Sequence, residues 1–234
     1  MKKETTMTTT FHNVEQGTEE WLQLRTGIIT ASEMNAILTP TLKTANNDKT
    51  RQHVWEIAAQ RINKYTEPSY IGDAMLRGHA DEIIARDLYS ERYEPVEEVG
   101  FITGTIDGAT IGYSPDGVCV LNNGGIECKS RVQKYQVETI VSNEVPIEHR
   151  LQLQTGLFVT GWDWIDYISF SGGMPMWVIR VEPDPEYQDA IKAAVLAFEE
   201  KVNAVIGAYH DRLKTAPVLI DTERQNHDME MIIT

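Results

Sequence analysis

The feature that most narrows the fold is a change of period part-way along the chain. Before residue 90 the apolar residues recur at helical spacing, whereas from Val96 to Lys129 they sit in short β-prone runs cut by Gly and Asn. Those runs are Val96–Thr103, Thr110–Tyr113, Gly117–Leu121 and Gly125–Lys129, and Asn122-Asn123-Gly124-Gly125 signals a hairpin between the last two. Upstream, Val54, Ile57, Ala58 and Ile62 predict a helix over about 50–64. Ala80, Ile83, Ile84 and Leu88 define the apolar face of another over about 74–90. Thr30-Ala31-Ser32-Glu33 reads as a capping box opening a helix to about Leu38. Polar, turn-prone residues 39–49 predict a mobile loop. Downstream, Pro146 opens a helix running to Val159, Trp164–Phe170 and Met176–Val181 predict two strands, and residues 187–209 a long helix. This order predicts one α/β (α+β) domain over residues 12–215, a mixed central β-sheet flanked by helices, with tails at 1–11 and 216–234.

Composition removes several classes. No run approaches the roughly 20 apolar residues of a membrane span, and Thr and Glu occupy the place of a signal core in MKKETTMTTT. Cys119 and Cys128 are the only cysteines, too few for a zinc or iron–sulfur framework, and two free thiols in a cytoplasmic chain are expected. The net charge of −14 argues against promiscuous coating of nucleic acid. It leaves room for a local site, because Arg25, Arg77, Lys129, Arg131, Lys134 and Arg150 lie near the motifs while acidic residues dominate the last third.

The chemistry concentrates in Ser114-Pro115-Asp116-Gly117 and Glu127-Cys128-Lys129. Alternate residues of a strand share a face, so Glu127 and Lys129 point together and Cys128 turns into the core. Antiparallel pairing across the turn brings Asp116 towards the end of the partner strand. Two carboxylates and an ammonium then converge, with Asp116, Glu127 and the Cys128 carbonyl suited to a hard cation such as Mg²⁺. A cation there could lower the pKa of an attacking water, and Lys129 could orient it. Spacing alone fits a surface salt bridge between Glu127 and Lys129 equally well.

Those two motifs, with Gly78-His79-Ala80-Asp81-Glu82, Val14-Glu15-Gln16-Gly17, Trp21, Leu24-Arg25-Thr26-Gly27-Ile28-Ile29-Thr30-Ala31-Ser32 and Gln152-Leu153-Gln154, resemble the phage lambda exonuclease family. The matches occur in family order over about residues 14–181, and the family has the restriction-endonuclease-like fold. The resemblance implies a 5′–3′ exonuclease on double-stranded DNA ends, processive and Mg²⁺-dependent, with two ions and Mn²⁺ as a substitute. It further implies a homotrimeric ring in the cytoplasm of a bacterial host, phage-encoded, and partnership with a single-strand annealing recombinase. By position, Asp116, Glu127 and Lys129 are the ligands and catalytic lysine, and Glu82 the additional acid, acting directly or through water. Asp81 is the weaker choice and His79 incidental. Arg25, Ser32, Ser114 and Gln152 match positions that hold the 5′-phosphate, and Met75 an apolar wedge. A further pocket arginine has no aligned counterpart in Ser130-Arg131-Val132-Gln133-Lys134-Tyr135, where Arg131 and Lys134 are the nearest cations. The alternatives are an endonuclease of the same fold and a non-catalytic DNA-end-binding scaffold.

Overall fold

The computed structural model describes residues 7–67 and 73–224. Its strands form two mixed sheets. The first has the order β1 (Thr8–His12), β4 (Phe101–Ile106), β5 (Ala109–Tyr113), β2 (Ile29–Thr30), and β2 joins β5 in parallel. The second runs β3 (Val96–Glu97), β6 (Gly117–Cys119), β7 (Gly124–Ser130), β8 (Trp164–Phe170), β9 (Trp177–Val181), with β7 and β8 parallel and the other neighbours antiparallel. Among the described residues the α-helices are α1 (Glu19–Arg25), α2 (Asp48–Asn63), α3 (Asp73–Arg92), α4 (Gln133–Ser142), α5 (Ile147–Thr160) and α6 (Pro185–Lys214). The mixed α/β class expected from the sequence is the one observed.

Strand β8 divides the core. Ile165 and Tyr167 face the larger cluster, with Leu151, Leu153 and Leu157 of α5 and Ile191, Val195 and Phe198 of α6. Trp164, Ile168 and Phe170 face a smaller one, with Ala85 and Tyr89 of α3 and Ile126 and Cys128 of β7. The period of two thus sorts β7 and β8 between two helices. It also explains Gly124, read from the sequence as a turn residue, and Gly125, read as the junction of turn and strand. Both lie in β7, where an added Cβ would come within 2.5 Å of the Trp164 indole at Gly124 and 2.2 Å of the Trp162 indole at Gly125. Two indoles packed flat on the strand demand glycine there.

Several expectations are corrected. Residues 8–11, read as part of a tail, belong with His12 to β1, which pairs with β4 from Thr8↔Thr105 to His12↔Phe101. The capping box is present, with Glu33 accepting from the Thr30 N–H at 2.8 Å, but it opens a 3₁₀ turn, Ala31–Ala36. The segment read as a mobile loop is tied to the body: Ala45 is buried and its N–H donates to the Ile37 carbonyl at 2.8 Å. Helix α3 is rotated from its expected orientation. Ala85 and Tyr89 pack inward while Ile83, Ile84 and Leu88 face solvent. Helix α4 is absent from the sequence reading.

Candidate active site

The site forms where the edge of β6, the end of β7, the N-terminal half of α5 and the inner face of α3 meet. Gly117 pairs with Ile126, and the Asp116 N–H donates to the Ile126 carbonyl at 3.2 Å. This ladder brings the Asp116 carboxylate over the next turn of β7, where its Oδ2 accepts from the Cys128 N–H at 2.6 Å. Glu127, on the α5 side of β7, is 2% exposed. Its Oε1 accepts from Lys129 Nζ at 2.7 Å and from Gln152 Nε2 of α5, and its Oε2 accepts from the Tyr113 hydroxyl at 2.8 Å. The expected convergence of Asp116, Glu127 and Lys129 is therefore observed, and the Glu127–Lys129 pair joins a buried carboxylate to a half-buried ammonium and is not a surface salt bridge.

Burial and proximity set the charges. Burial raises the Asp116 pKa well above the carboxylate range and Glu127 adds to the rise, while Lys129 opposes it. Burial also raises Glu82, with Glu127 adding and Lys129 opposing, which stations this α3 side chain beside the cluster. For Lys129, burial disfavours the ammonium, but Glu127 and Asp116 outweigh it and hold the pKa above the ordinary lysine value. Tyr113 keeps its proton, since burial first and Glu127 second raise its pKa. Asp116 and Glu82, their pKa values raised by burial and then by Glu127, crowd one ammonium together with that glutamate and make a site that a cation would relieve.

The donor set fits Mg²⁺ better than a softer ion. No group of three His, Cys, Asp or Glu side chains stands ready-made to hold a metal among the described residues. Mg²⁺ needs no such cage, since it is commonly held by one or two carboxylates with retained waters. Asp116 has Oδ1 outside the Cys128 hydrogen bond, and Glu127, the Cys128 carbonyl and Glu82 are the further oxygens that could hold such an ion.

A second group of side chains adjoins this one. Thr18 caps α1, its hydroxyl accepting from the Trp21 N–H at 3.3 Å, and the helix places Trp21 and Arg25 one turn apart. Both reach Ser114: Trp21 Nε1 donates to its hydroxyl at 3.1 Å and Arg25 Nη1 at 3.2 Å. The Arg25 guanidinium lies 4.3 Å from the Trp21 ring centroid. Burial lowers its pKa and Glu33 raises it, yet an arginine stays charged.

The other expected residues distribute unevenly. Ser32 is exposed, its hydroxyl 3.1 Å from that of Thr30. Gln152 binds Glu127 rather than opening towards Ser114. Arg131 Nη1 reaches Glu148 Oε1 at 3.2 Å and donates to His149 Nε2 at 3.0 Å. His149 can accept because burial, with Lys129 and Arg131 adding, lowers its pKa to about 4. Lys134 is exposed, 4.7 Å from the Tyr135 ring centroid and apart from the cluster. Asp81 accepts from the Ser130 hydroxyl, and His79 is mostly exposed, 3.9 Å from Glu82. The Met75 side chain lies outside the described residues.

Two contributors escaped the sequence reading. Tyr113 directly precedes the Ser114 motif at the end of a buried strand, a position that pattern alone assigns to the core. Arg86, one turn beyond Glu82, donates to the Asp116 carbonyl at 3.1 Å and pairs with Glu98. Its spacing of four from Glu82 was the available signal.

Comparison with known proteins agrees with this geometry. The YqaJ-like viral recombinase domain matches residues 20–163. The alkaline exonuclease LHK-Exo from Laribacter hongkongensis is 30% identical, with a TM-score of 0.73 over 84% of this chain and 98% of that one. Its structure with dAMP gives 31% identity and a TM-score of 0.73, covering 85% and 100% of the two chains. A phage-related exonuclease from Haemophilus somnus 129PT shares the fold at 15% identity, with a TM-score of 0.55 over 78% of this chain and 96% of that one. No curated protein matches. The chain belongs to the YqaJ-like viral recombinase family, the family of lambda exonuclease.

Proposed function

We propose that the protein is a Mg²⁺-dependent 5′–3′ exonuclease acting on double-stranded DNA ends. It degrades one strand processively and leaves 3′ single strands for recombination by annealing. The observation that carries this reading is the adjacency of the two groups described above. Ser114, which binds Arg25, and Asp116, which belongs to the carboxylate cluster, are separated by at most about 7 Å of chain. A terminal phosphate held by Arg25 and Ser114 would therefore place the following phosphodiester at Asp116 and Glu127. Mononucleotides would be released, and dAMP is a mononucleotide of the kind bound in the LHK-Exo structure.

Asp116, Glu127, the Cys128 carbonyl and Glu82 would hold Mg²⁺, which when bound polarises the phosphodiester and acidifies a water; Mn²⁺ should substitute. Lys129, kept charged beside Glu127, orients the attacking water and faces the negative charge that develops on the phosphoryl oxygens. Tyr113 and Gln152 fix the Glu127 carboxylate, and Arg86 fixes the backbone carrying Asp116. Arg25 offers a fork of donors to the 5′-phosphate, with Ser114 and Ser32 as hydroxyl donors. Arg131, steered by His149 and Glu148, is the better candidate than Lys134 for a further phosphate contact. Arg25, Lys129 and Arg131 placed at this site suit a chain of net charge −14, whose overall charge repels DNA. A ring of three copies, and an annealing protein as partner, complete the reading.

Linear and covalently closed circular duplexes, incubated separately with Mg²⁺, test it. Degradation of the linear form alone is expected. Efficient nicking of closed circles would indicate an endonuclease, and binding of ends without cleavage a scaffold.

A further inference from the structure

Two exposed apolar features lie at opposite ends of α6. At its N-terminal end, Tyr187 joins Pro40, Leu42, Ile147 and Leu151 around a cavity of about 250 Å³, with Glu148 at its edge. That volume exceeds the roughly 150 Å³ of a cavity left by removing one large core side chain, and so admits a branched aliphatic residue and part of a neighbour. Ile147, 55% exposed, extends the apolar lining outward. Past the C-terminal end of α6, Val218, Leu219 and Ile220 lie outside any helix or strand, 71%, 61% and 82% exposed. Three consecutive exposed aliphatic residues are costly on a surface and mark a contact site.

The two cannot meet within one molecule. Helix α6 spans about 40 Å between Tyr187 and Lys214. Residues 215–220, fully extended, reach about 20 Å. The segment is also led elsewhere, since the Arg224 guanidinium lies 3.3 Å from the ring centroid of Tyr65, beyond the end of α2. Among the described residues nothing fills the groove and nothing covers the apolar segment, and the two, fixed at opposite ends of one helix, are complementary between copies.

We propose that Val218–Leu219–Ile220 of one copy docks in the Leu42–Ile147–Leu151–Tyr187 groove of a second copy. The contact uses different surfaces on the two partners, so it is head-to-tail and closes into a ring when the rotation allows. This rests on the ring reading above and names the surfaces that would build it. It also ties assembly to the active site, because Glu148 at the groove edge holds Arg131.

The test is molar mass in solution by sedimentation velocity, for the unaltered protein, Leu219→Asp, Ile147→Asp and an equimolar mixture of the two variants. Both substitutions fall at exposed positions, and circular dichroism checks that each variant is folded. The unaltered protein should sediment as a ring and each variant as a monomer. The mixture should give dimers, because an intact segment from Ile147→Asp meets an intact groove from Leu219→Asp. Variants that retain the ring would overturn the proposed surfaces and leave the ring reading standing. A mixture that stays monomeric while both variants are folded would also overturn the head-to-tail pairing. A monomeric unaltered protein would overturn both readings.

Discussion

The carboxylate cluster and the Arg25 pocket lie side by side yet differ in how fully their polar groups are engaged. Around Glu127 both oxygens are taken by Lys129, Gln152 and Tyr113, and the carboxylate is buried. Around Arg25, Nη1 donates to Ser114 and the guanidinium rests on Trp21, an arrangement that leaves donors of the fork for an anion. The first region is set before substrate arrives, so its side chains should govern turnover. The second keeps guanidinium donors available, so on the proposed function its side chains should govern which ends are chosen.

That contrast can be broken by substitution. The largest effect is expected from Lys129→Ala, a loss on the order of 10³-fold or more in cleavage with DNA binding retained, read by single-turnover digestion beside a gel-shift assay. Undiminished turnover would remove the lysine from the chemistry. Asp116→Asn should be comparably inactive, and it should make the metal-free protein more stable. Burial and Glu127 hold the Asp116 pKa above its unfolded value, so the folded state binds the proton more tightly. Stability from that proton is present at low pH and is lost as pH rises from the ordinary carboxylate range through the raised value. Near neutral pH the amide should add about 1 kcal/mol, or roughly 2–4 °C in Tm, in the presence of a chelator. The gain should shrink towards pH 5; an unchanged or lower Tm at pH 7 would contradict the crowding argument.

Smaller effects sharpen the comparison. Arg25→Ala should abolish the preference for 5′-phosphorylated over 5′-hydroxyl ends, a change of about 10- to 150-fold, as for a lost charge-assisted contact of about 1.5–3 kcal/mol. Turnover on 5′-hydroxyl ends should hold. Gln152→Ala decides to which region that residue belongs. Bound to Glu127, it should slow both kinds of end equally, by about tenfold or less; a selective loss on 5′-phosphorylated ends would move it to the pocket. Lys134→Ala should change rates by less than about twofold, since its ammonium is exposed above Tyr135.

The same two regions show what could be read before the fold was known. The strand period put Glu127 and Lys129 on one face, and the turn brought Asp116 to them, because a β-hairpin converts sequence spacing directly into position. Tyr113 and Arg86 were hidden, since their roles depend on contacts between elements. Helix α3 was turned wrongly for a physical reason: its inner face carries Glu82 and Arg86 for the site, so the apolar stripe of Ile83, Ile84 and Leu88 could not also mark the interior. Helix α4 inverts the usual pattern further. It buries Gln136, whose amide bonds Ser169 and the Pro175 carbonyl, and exposes Val137 and Val141. A helix anchored by polar contacts leaves no hydrophobic period to find. The Asn-Gly turn was read at Gly124 and Gly125 although those glycines serve two indoles, a demand that comes from residues 162 and 164.

The central claim is that a pocket for the 5′-terminal phosphate feeds a metal-dependent cluster one nucleotide step away. It is tested most directly by digesting a duplex labelled at either end of one strand, with and without a 5′ phosphate, in Mg²⁺. The account predicts immediate release of a labelled mononucleotide from the 5′-labelled strand, faster with the phosphate, and late release from the 3′ label. Early release of the 3′ label, or internal fragments from either, would contradict it.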